Sequence, residues 1–297
     1  MVNAIQSESW GRFGKMARRD SLSFAFGPPI ILAMSEEPWQ LRLVKKSLKK
    51  KDKLRLLERT IPISPGRTAL DLGCAQGILG YFARRRGGFW VHADEDLANL
   101  RTAGEILERD LVQLRGEDLP FRGGSFDLVL CLDYLEHIEG DDRALAEISR
   151  ILKAGGEFIV VTPHTGRFYL LHKLRSALGL RLEYFGHKRE GYSFPELEAK
   201  LGRVRLFVKR KTTYSRFFSE LFELILNFVY IKLLARGTSV QRRDGHIRPA
   251  SAEEFKAQEK TFALYSLLYP VVWVLSRLDM LLFFQKGYSL MIWARKQ

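Results

Sequence analysis

The segment Ala69-Leu-Asp-Leu-Gly-Cys-Ala-Gln-Gly-Ile-Leu-Gly80 decides the fold of this chain. Its apolar start predicts a strand, which enters a turn at Gly73 and Gly77 and leads into a predicted helix. Glycine permits backbone angles and a close ligand approach that other residues resist. In open α/β sheets, ligands bind at such a turn, at the carboxyl end of the first strand. The segment therefore predicts a ligand-binding α/β domain.

The glycine spacing differs from that of a dinucleotide site, which follows the pattern G-x-G-x-x-G. Here the pattern is Gly73-x-x-x-Gly77, and the carboxylate of Asp71 precedes it. An acid at this place disfavours a pyrophosphate and suits a ligand with a cationic amino-acid end. Asp94, with Glu95 beside it, follows Gly73 at the distance of an acid that holds ribose hydroxyls. The alternative for Asp94 is a plain helix N-cap.

Strand and helix patterns alternate from residue 67 to residue 165, which predicts a parallel sheet with helices on both faces. The predicted strands are Thr68–Leu72, Phe89–Ala93, Leu111–Leu114, Phe126–Leu132 and Glu157–Thr162. The predicted helices are Ile78–Arg85, Leu97–Arg109 and Arg143–Leu152. Further strands are predicted over Val204–Lys209 and Tyr288–Ala294.

The stretch Leu70–Pro163 resembles the class I S-adenosylmethionine (SAM)-dependent methyltransferases, in particular the group that methylates quinones and small molecules. The resemblance rests on five segments in order: Asp71-Leu-Gly-Cys-Ala-Gln-Gly77, Asp94, Glu117-Asp-Leu-Pro-Phe121, Ser125-Phe-Asp-Leu-Val129 and Leu152-Lys-Ala-Gly-Gly156. It implies a methyltransferase with SAM as cofactor. The implied cofactor contacts are Asp71, Gly73, Cys74, Gln76, Gly77, Asp94, Glu95, Glu117, Asp118, Leu119 and Leu132.

Two positions depart from the family pattern. Ala75 stands where motif I usually has its central glycine. Arg115 stands where an acid often precedes the adenine-side loop, so either Glu117 or Asp118 could meet the adenine.

The fold class that the resemblance implies is α/β, a Rossmann-like seven-stranded sheet with its last strand antiparallel beside Val204–Lys209. An N-terminal helical segment precedes the sheet, and a large helical insertion interrupts it before the last strand. The predicted divisions are 1–66 (a basic helical segment with an amphipathic helix over Leu43–Leu57), 67–213 (the SAM-binding core), 214–287 (the apolar insertion) and 288–297 (the final strand).

Candidate catalytic residues lie in Cys131-Leu-Asp-Tyr-Leu-Glu-His-Ile138, directly after the fourth strand. Asp133, Glu136 and His137 are expected at the mouth of the site, where an oxygen acceptor needs a base. A packing role is the favoured interpretation of this run, and base catalysis by His137 is the alternative. The run also resembles a Glu-x-x-Glu-His element that holds a divalent metal in ubiquinone-pathway O-methyltransferases, although we predict no metal here. His187, in a polar stretch, is a weaker catalytic candidate, and a surface histidine is its favoured interpretation.

The insertion suggests where the enzyme works. A helix predicted over Tyr214–Ala235 is apolar over most of its girth, and a second apolar segment, 261–285, is rich in aromatic residues. Such surfaces must be buried in protein, in a dimer or at a bilayer. Aromatics suit a membrane interface, and the basic run near Lys49 would attract anionic lipid. The favoured prediction is O-methylation of a lipophilic or lipid-linked acceptor by a peripheral membrane enzyme.

The net charge of +14 favours an anionic partner, and this could be nucleic acid. That alternative is disfavoured because the lysine cluster has no interleaved aromatics for base stacking. A non-catalytic binding module, and a homodimer formed by the insertion, stay open. Cys74 and Cys131 show no metal spacing and are read as reduced thiols, which together with the absence of a signal-peptide pattern predicts a cytoplasmic protein.

Overall fold

The computed structural model describes residues 37–61, 65–165, 170–180, 182–229 and 252–297. These residues belong to a compact unit that extends from Glu37 to Gln297. Most of the predicted N-terminal segment and the end of the apolar helix predicted over Tyr214–Ala235 lie outside the described residues.

Seven strands form one sheet in the order β3-β2-β1-β4-β5-β7-β6. They are β1 (Thr68–Leu72), β2 (Phe89–Asp94), β3 (Leu111–Gln113), β4 (Phe126–Leu132), β5 (Leu152–Pro163), β6 (Leu206–Tyr214) and β7 (Ser289–Lys296). β7 runs antiparallel to both of its neighbours, β5 and β6, and the pairs among β1 to β5 are parallel. The predicted Rossmann-like sheet with an antiparallel last strand is thereby confirmed.

Helices lie before β1 and between the later strands. They are α1 (Trp39–Lys45), α2 (Leu48–Thr60), α3 (Ile78–Arg84), α4 (Leu97–Leu107), α5 (Asp141–Ile151), α6 (Leu170–Ala177), α7 (Phe194–Arg203), α8 (Phe217–Phe228), α9 (Ala252–Ala257) and α10 (Glu259–Ser276). Short 3₁₀ turns occupy Leu135–His137, Leu182–Phe185 and Arg277–Met280.

Both faces of the sheet are apolar and covered, as the near-continuous apolar runs of its central strands require. Val129 and Cys131 of β4 belong to a core that includes Leu145 and Ile148 of α5. The alternate residue of the same strand, Leu130, packs in a second core that includes Leu57 of α2. Cys74 and Cys131 are free and buried. The central strands are therefore buried on both faces, and the loops at the carboxyl edge of the sheet extend from this core.

The basic N-terminal run forms two helices, so the prediction of one helix over Leu43–Leu57 is wrong. α1 ends at Lys45, and the side chain of Ser47 accepts a hydrogen bond from the backbone N–H of Lys50 at 3.3 Å. A serine in this role satisfies one of the unpaired N–H groups of a helix start. The chain therefore restarts as a separate helix, α2.

The sixth strand lies later in the chain than the predicted Val204–Lys209. Arg205 adopts a left-handed φ of 60° after α7, which postpones the extended chain to Leu206. The strand then continues to Tyr214, because Tyr214 pairs with Ser289 of β7. As a result α8 begins at Phe217 instead of Tyr214.

The helix α10 and the turn after it carry their apolar residues on the outside. Leu264, Leu267 and Val271 are between 59% and 75% exposed, whereas Tyr269 and Ser276 face the protein and are buried. Within the described residues, one helical stretch, Glu259–Met280, is long and apolar enough to cross a membrane by length and composition. In a globular domain the apolar side of an amphipathic helix usually faces the core, whereas in α10 it faces outward.

Candidate active site

The glycine turn after β1 is held against the end of β2. The backbone N–H groups of Gly73 and Cys74 both donate to the carbonyl of Ala93, at 2.8 and 2.9 Å. Gly73 and Gly77 have φ of 78° and 77°, which glycine adopts at little cost. Gly77 is also the N-cap of α3. The turn thus presents the start of a helix and exposed backbone at the carboxyl edge of the sheet.

Asp94 connects this turn to the next one. Its Oδ2 accepts a hydrogen bond from the N–H of Ala75 at 2.8 Å. Its Oδ1 accepts from the N–H of Asp96 at 3.0 Å and from Nδ2 of Asn99 at 3.1 Å. The N-cap of α4 is Asp96, whose carboxylate accepts from the N–H of Ala98. Asp94 therefore has a different role from a plain helix cap, and a carboxylate offers about four acceptor positions, one more than these bonds use.

Several acids gather around Asp94. Burial raises the pKa of Glu95, and the carboxylates of Asp94 and Glu117 add to the rise against the effect of Arg115. Within the described residues, Oε2 of Glu117 is buried without a hydrogen-bond partner. Asp118 lies on the surface. An anionic groove with a buried, unpaired carboxylate oxygen suits a cationic ligand with hydrogen-bond donors.

Tyr134 completes the floor of this region, and the sequence analysis did not single it out. A Cβ on Gly73 would lie 2.6 Å from Cδ2 of Tyr134, and a Cβ on Gly116 would lie 2.8 Å from its Cε1. The phenolic oxygen accepts a hydrogen bond from the N–H of Gly116 at 3.0 Å. The ring therefore packs between the glycine turn and the adenine-side loop, a contact that only small residues at both positions permit.

Other predicted cofactor contacts lie deeper. The carboxylate of Asp71 is 2% exposed and lies 3.1 Å from Nδ1 of the buried His92, so the structure places it inside the domain. The remaining members of the set are buried: Cys74, Gln76, Leu119 and Leu132. Leu119 and Leu132 belong to the two hydrophobic cores. Burial raises the pKa of the Cys74 thiol far above its ordinary value.

The residue after β4 is held in a strained conformation. Asp133 has a φ of 54°, in the left-handed region that non-glycine residues rarely occupy. Its carboxylate pairs with the ammonium group of Lys53, which reaches in from α2 and is itself buried. Burial acts to raise the pKa of Asp133, but Lys53 and Lys49 outweigh it and hold the pKa below its ordinary value. Lys53 was missed because its position is set by tertiary packing of the basic helix.

Glu136 is fully buried, and its Oε2 accepts a hydrogen bond from Oγ1 of Thr162 at 3.2 Å. Its Oε1 has no hydrogen-bond partner among the described residues. Burial, followed by the neighbouring charge of Asp133, raises the pKa of Glu136 to about 8. A carboxyl group that holds its proton near neutral pH is a common feature of functional sites.

His137 and His187 lie together beside Glu136. Their rings are 4.8 Å apart, edge to face, and Nδ1 of His137 lies 3.1 Å from the carbonyl oxygen of Gly186. Because a carbonyl only accepts, this bond places a proton on Nδ1, and in the neutral form of the ring the lone pair is then on Nε2. Burial, followed by His137, lowers the pKa of His187 to about 3, so that its ring is neutral. His187 thus lies partly buried in the site, and its interpretation as a surface histidine is wrong.

Glu136, His137 and His187 also fit a divalent cation. One ligand atom from each lies within 4.8 Å of the others. On binding a cation Glu136 would lose its proton, and a carboxylate with two imidazoles is a donor set that zinc and related metals accept. Asp133, the first acid of the metal-binding element that the sequence resembles, is instead paired with Lys53.

Comparison with known proteins agrees with the fold. Residues 70–160 match the model of the methyltransferase domain. Together with the sheet, this identifies a domain of the class I SAM-dependent methyltransferases, whose methyl donor is S-adenosylmethionine. The predicted family is thereby confirmed, and the acidic groove fits the positive charge of this donor.

Two curated relatives are ubiquinone biosynthesis O-methyltransferases. The protein from Brucella anthropi is 32% identical over 50% of this chain and 64% of its own length. The protein from Psychrobacter cryohalolentis is 27% identical over 54% of this chain and 60% of its own length. The chain thus spans about three fifths of these relatives.

Solved structures share the fold at low sequence identity. The YcgJ protein from Bacillus subtilis has a TM-score of 0.54 and 19% identity, covering 83% of this chain and 99% of its own. Geranyl diphosphate C-methyltransferase from Streptomyces coelicolor, in complex with S-adenosyl-L-homocysteine, has a TM-score of 0.52 and 15% identity, covering 84% and 76%.

Proposed function

We propose that the protein transfers a methyl group from SAM to a hydroxyl of a lipophilic or lipid-linked small molecule at the cytoplasmic face of a membrane. The observation that carries the proposal is the meeting of two sites at one edge of the sheet. The acidic groove with its glycine turn follows β1 and β2, and the polar cluster of Asp133, Glu136 and His137 follows β4. Parallel neighbouring strands bring their carboxyl ends together, so donor and acceptor would meet there.

The groove residues would hold the cofactor. Asp94 has acceptor capacity left for a ribose hydroxyl, and Glu117 offers its unpaired Oε2 to the adenine side. The turn at Gly73 allows close approach of the methionyl part. When bound, SAM supplies an electrophilic methyl group on a sulfonium that needs no further activation.

The polar cluster would position the acceptor and take its proton. The acceptor oxygen bonds to the methyl carbon as the S–CH₃ bond breaks in line, leaving S-adenosylhomocysteine. Nε2 of His137, which carries the lone pair, receives the hydroxyl proton. The Lys53–Asp133 ion pair, which is neutral overall, would hold the residue that follows β4 in place beside the acceptor.

The lipophilic acceptor is supported by two features of different kinds. The curated relatives act, by name, in ubiquinone biosynthesis as O-methyltransferases. The described insertion carries a broad exposed apolar surface on α10. An enzyme at a bilayer surface can take a substrate that is dissolved in the bilayer.

The first experiment measures SAM binding by calorimetry on the full chain and on an Asp94→Ala variant. We expect micromolar binding that weakens at least tenfold in the variant. Glu117→Ala should also weaken binding, whereas the exposed Asp118→Ala should bind as the wild type does, which settles the two alternatives for the adenine contact. Equal binding by all variants, or none by the wild type, would refute the cofactor site.

The second experiment measures transfer of a labelled methyl group to a catechol with and without an isoprenoid tail. We expect the tailed catechol in detergent to be preferred. His137→Asn should lower the rate on the order of 10²-fold, typical for loss of a general base. Transfer to bulk RNA instead of the catechols would establish the nucleic-acid alternative.

The Glu136–His137–His187 set supports a metal-assisted variant of the same reaction, because a cation there would polarise the acceptor oxygen. Dialysis against a chelator separates the two mechanisms. Metal assistance predicts loss of transfer that zinc or magnesium restores, whereas base catalysis by His137 alone predicts no change.

A further inference from the structure

A cavity of about 210 Å³ lies between α2, the end of β6 and α10. It is lined by four cationic side chains, Lys51, Arg55, Arg216 and Arg277. Trp273 and Met280, both exposed, form its apolar margin. The cavity is separate from the cofactor groove, which follows β1 and β2.

The cations of this cavity exceed the acids that could neutralise them. Asp52 pairs with Arg55 at 3.0 Å. Asp279 is used elsewhere, because its carboxylate accepts hydrogen bonds from the N–H groups of Phe218 and Ser219 at the start of α8, at 2.7 and 3.1 Å.

The other three cations contact neutral groups. Nζ of Lys51 donates to the hydroxyl of Tyr269 at 3.1 Å, and Nε of Arg216 donates to the carbonyl of Gln285 at 3.2 Å. The guanidinium of Arg277 lies 4.5 Å from the ring centre of Trp273. In the part of the chain that the structure describes, none of the three forms a salt bridge. Four cations face two acids, Asp52 and Asp279, in the lining of the cavity, which therefore carries a net positive charge.

A broad exposed apolar surface begins at the margin of this cavity. Met280 is followed by Leu281, Phe283 and Phe284, all between 68% and 80% exposed. The apolar face of α10 continues the surface through Leu267 and Val271. Contiguous exposed apolar residues of this kind mark an interaction site.

The helix α10 is tied to the domain along one side. The hydroxyl of Tyr265 donates to the carbonyl of Lys46 at 2.6 Å near the start of the helix, and Lys51 holds Tyr269 at its middle. Asp279 fixes the turn after the helix to α8. A helix with one side bonded to protein and the other side apolar suits the plane of a membrane interface better than a transmembrane span.

We propose that this cavity binds the phosphate of an anionic membrane lipid while the face formed by α10, Leu281, Phe283 and Phe284 inserts into the bilayer. Guanidinium and ammonium groups recognise phosphate through charge-assisted hydrogen bonds. The adjoining apolar face selects a lipid headgroup over free phosphate. The inference deepens the proposed function, since it rests on action at a membrane surface.

The test is sedimentation of the full chain with vesicles at constant surface charge. One set contains phosphatidylcholine with phosphatidic acid, and the other contains phosphatidylcholine with a fatty acid, which is anionic but has no phosphate. We expect tighter binding to the phosphatidic acid vesicles. Lys51→Gln with Arg277→Gln should lower that binding about 25-fold, at roughly fivefold per removed charge, and should abolish the preference for phosphate.

The control removes two exposed cations elsewhere, Arg101→Gln with Arg203→Gln, and should keep the preference. If the double variant fails to fold, Arg277→Gln alone replaces it in the same vesicle comparison. Equal binding to both vesicle types would overturn the phosphate site. A protein that binds millimolar inorganic phosphate but neither type of vesicle would overturn the lipid headgroup as its occupant. Calorimetry with SAM on the same protein tests the proposed methyl transfer independently of this result.

Discussion

Ala75, at the scale of the single residue, occupies a position that favours glycine. Its φ of 47° is left-handed, and the residue lies exposed in the glycine turn. A left-handed alanine costs roughly 1–2 kcal/mol, whereas glycine adds about 0.4–1 kcal/mol of unfolded-state entropy. We expect Ala75→Gly to raise the free energy of unfolding by about 0.5–1 kcal/mol in urea denaturation.

Ala146, exposed within α5, is the matched control for that substitution. Ala146→Gly should lower the free energy of unfolding by about 1 kcal/mol, since glycine is a poor helix residue. Destabilisation by both substitutions would mean that the turn does not hold Ala75 in the left-handed region.

Glu136 makes the stability of the protein depend on pH. Its pKa in the folded state is about 8, above the ordinary value of 4.5. Between these values the folded protein holds a proton that the unfolded chain has lost, so stability falls as pH rises. Glu136→Gln removes this dependence. We expect the difference in unfolding free energy, variant minus wild type, to increase from about pH 4.5 to pH 8 and to stay constant at higher pH.

Thermal or urea unfolding across this pH range measures the effect. Glu139→Gln, an exposed carboxylate three residues later, is the control and should follow the wild type at each pH. A constant difference between Glu136→Gln and the wild type would show that Glu136 is ionised throughout.

At the scale of the element, α8 depends on a residue far along the chain. The carboxylate of Asp279 accepts hydrogen bonds from the N–H groups of Phe218 and Ser219, the second and third residues of α8. It therefore caps the start of this helix from a position at least 60 residues later in the chain. Loss of a cap costs about 1 kcal/mol, and a buried N–H without a partner about 1–3 kcal/mol. We expect Asp279→Ala to lower the unfolding free energy by about 1–3 kcal/mol.

Hydrogen exchange of the amides of Phe218 and Ser219 localises this effect, because both should exchange faster in Asp279→Ala. Asp279→Asn keeps one acceptor oxygen and should recover part of the stability. If the two variants are equally stable and exchange at both amides is unchanged, Asp279 does not cap α8.

At the scale of the whole molecule, the exposed apolar face predicts behaviour with neutral lipid. Transfer of a phenylalanine side chain from an apolar phase to water costs about 1.5–3 kcal/mol, which corresponds to a more than tenfold lower partition coefficient. We expect Phe283→Ser with Phe284→Ser to lower partition into phosphatidylcholine vesicles at least tenfold and to raise solubility without lipid.

Phe89 and Phe207, which are exposed on strands of the sheet, provide the control. Phe89→Ser with Phe207→Ser removes the same side chains and should leave partition unchanged. An equal effect of both pairs would mean that partition depends on total hydrophobicity and not on the face around α10.

The sequence by itself determined the sheet, the glycine turn, the acid at Asp94 and the run Asp133–His137. These depend on local patterns: strand and helix periods, and glycines where backbone angles demand them. The tertiary structure decided which side chains meet. Four contacts join residues that are distant in the chain or are directed by packing. They are those of Lys53 with Asp133, His187 with His137, Tyr134 with Gly73, and Asp279 with α8. The outward apolar face of α10 also needed the fold, because periodicity locates an apolar surface but does not say whether protein or solvent faces it.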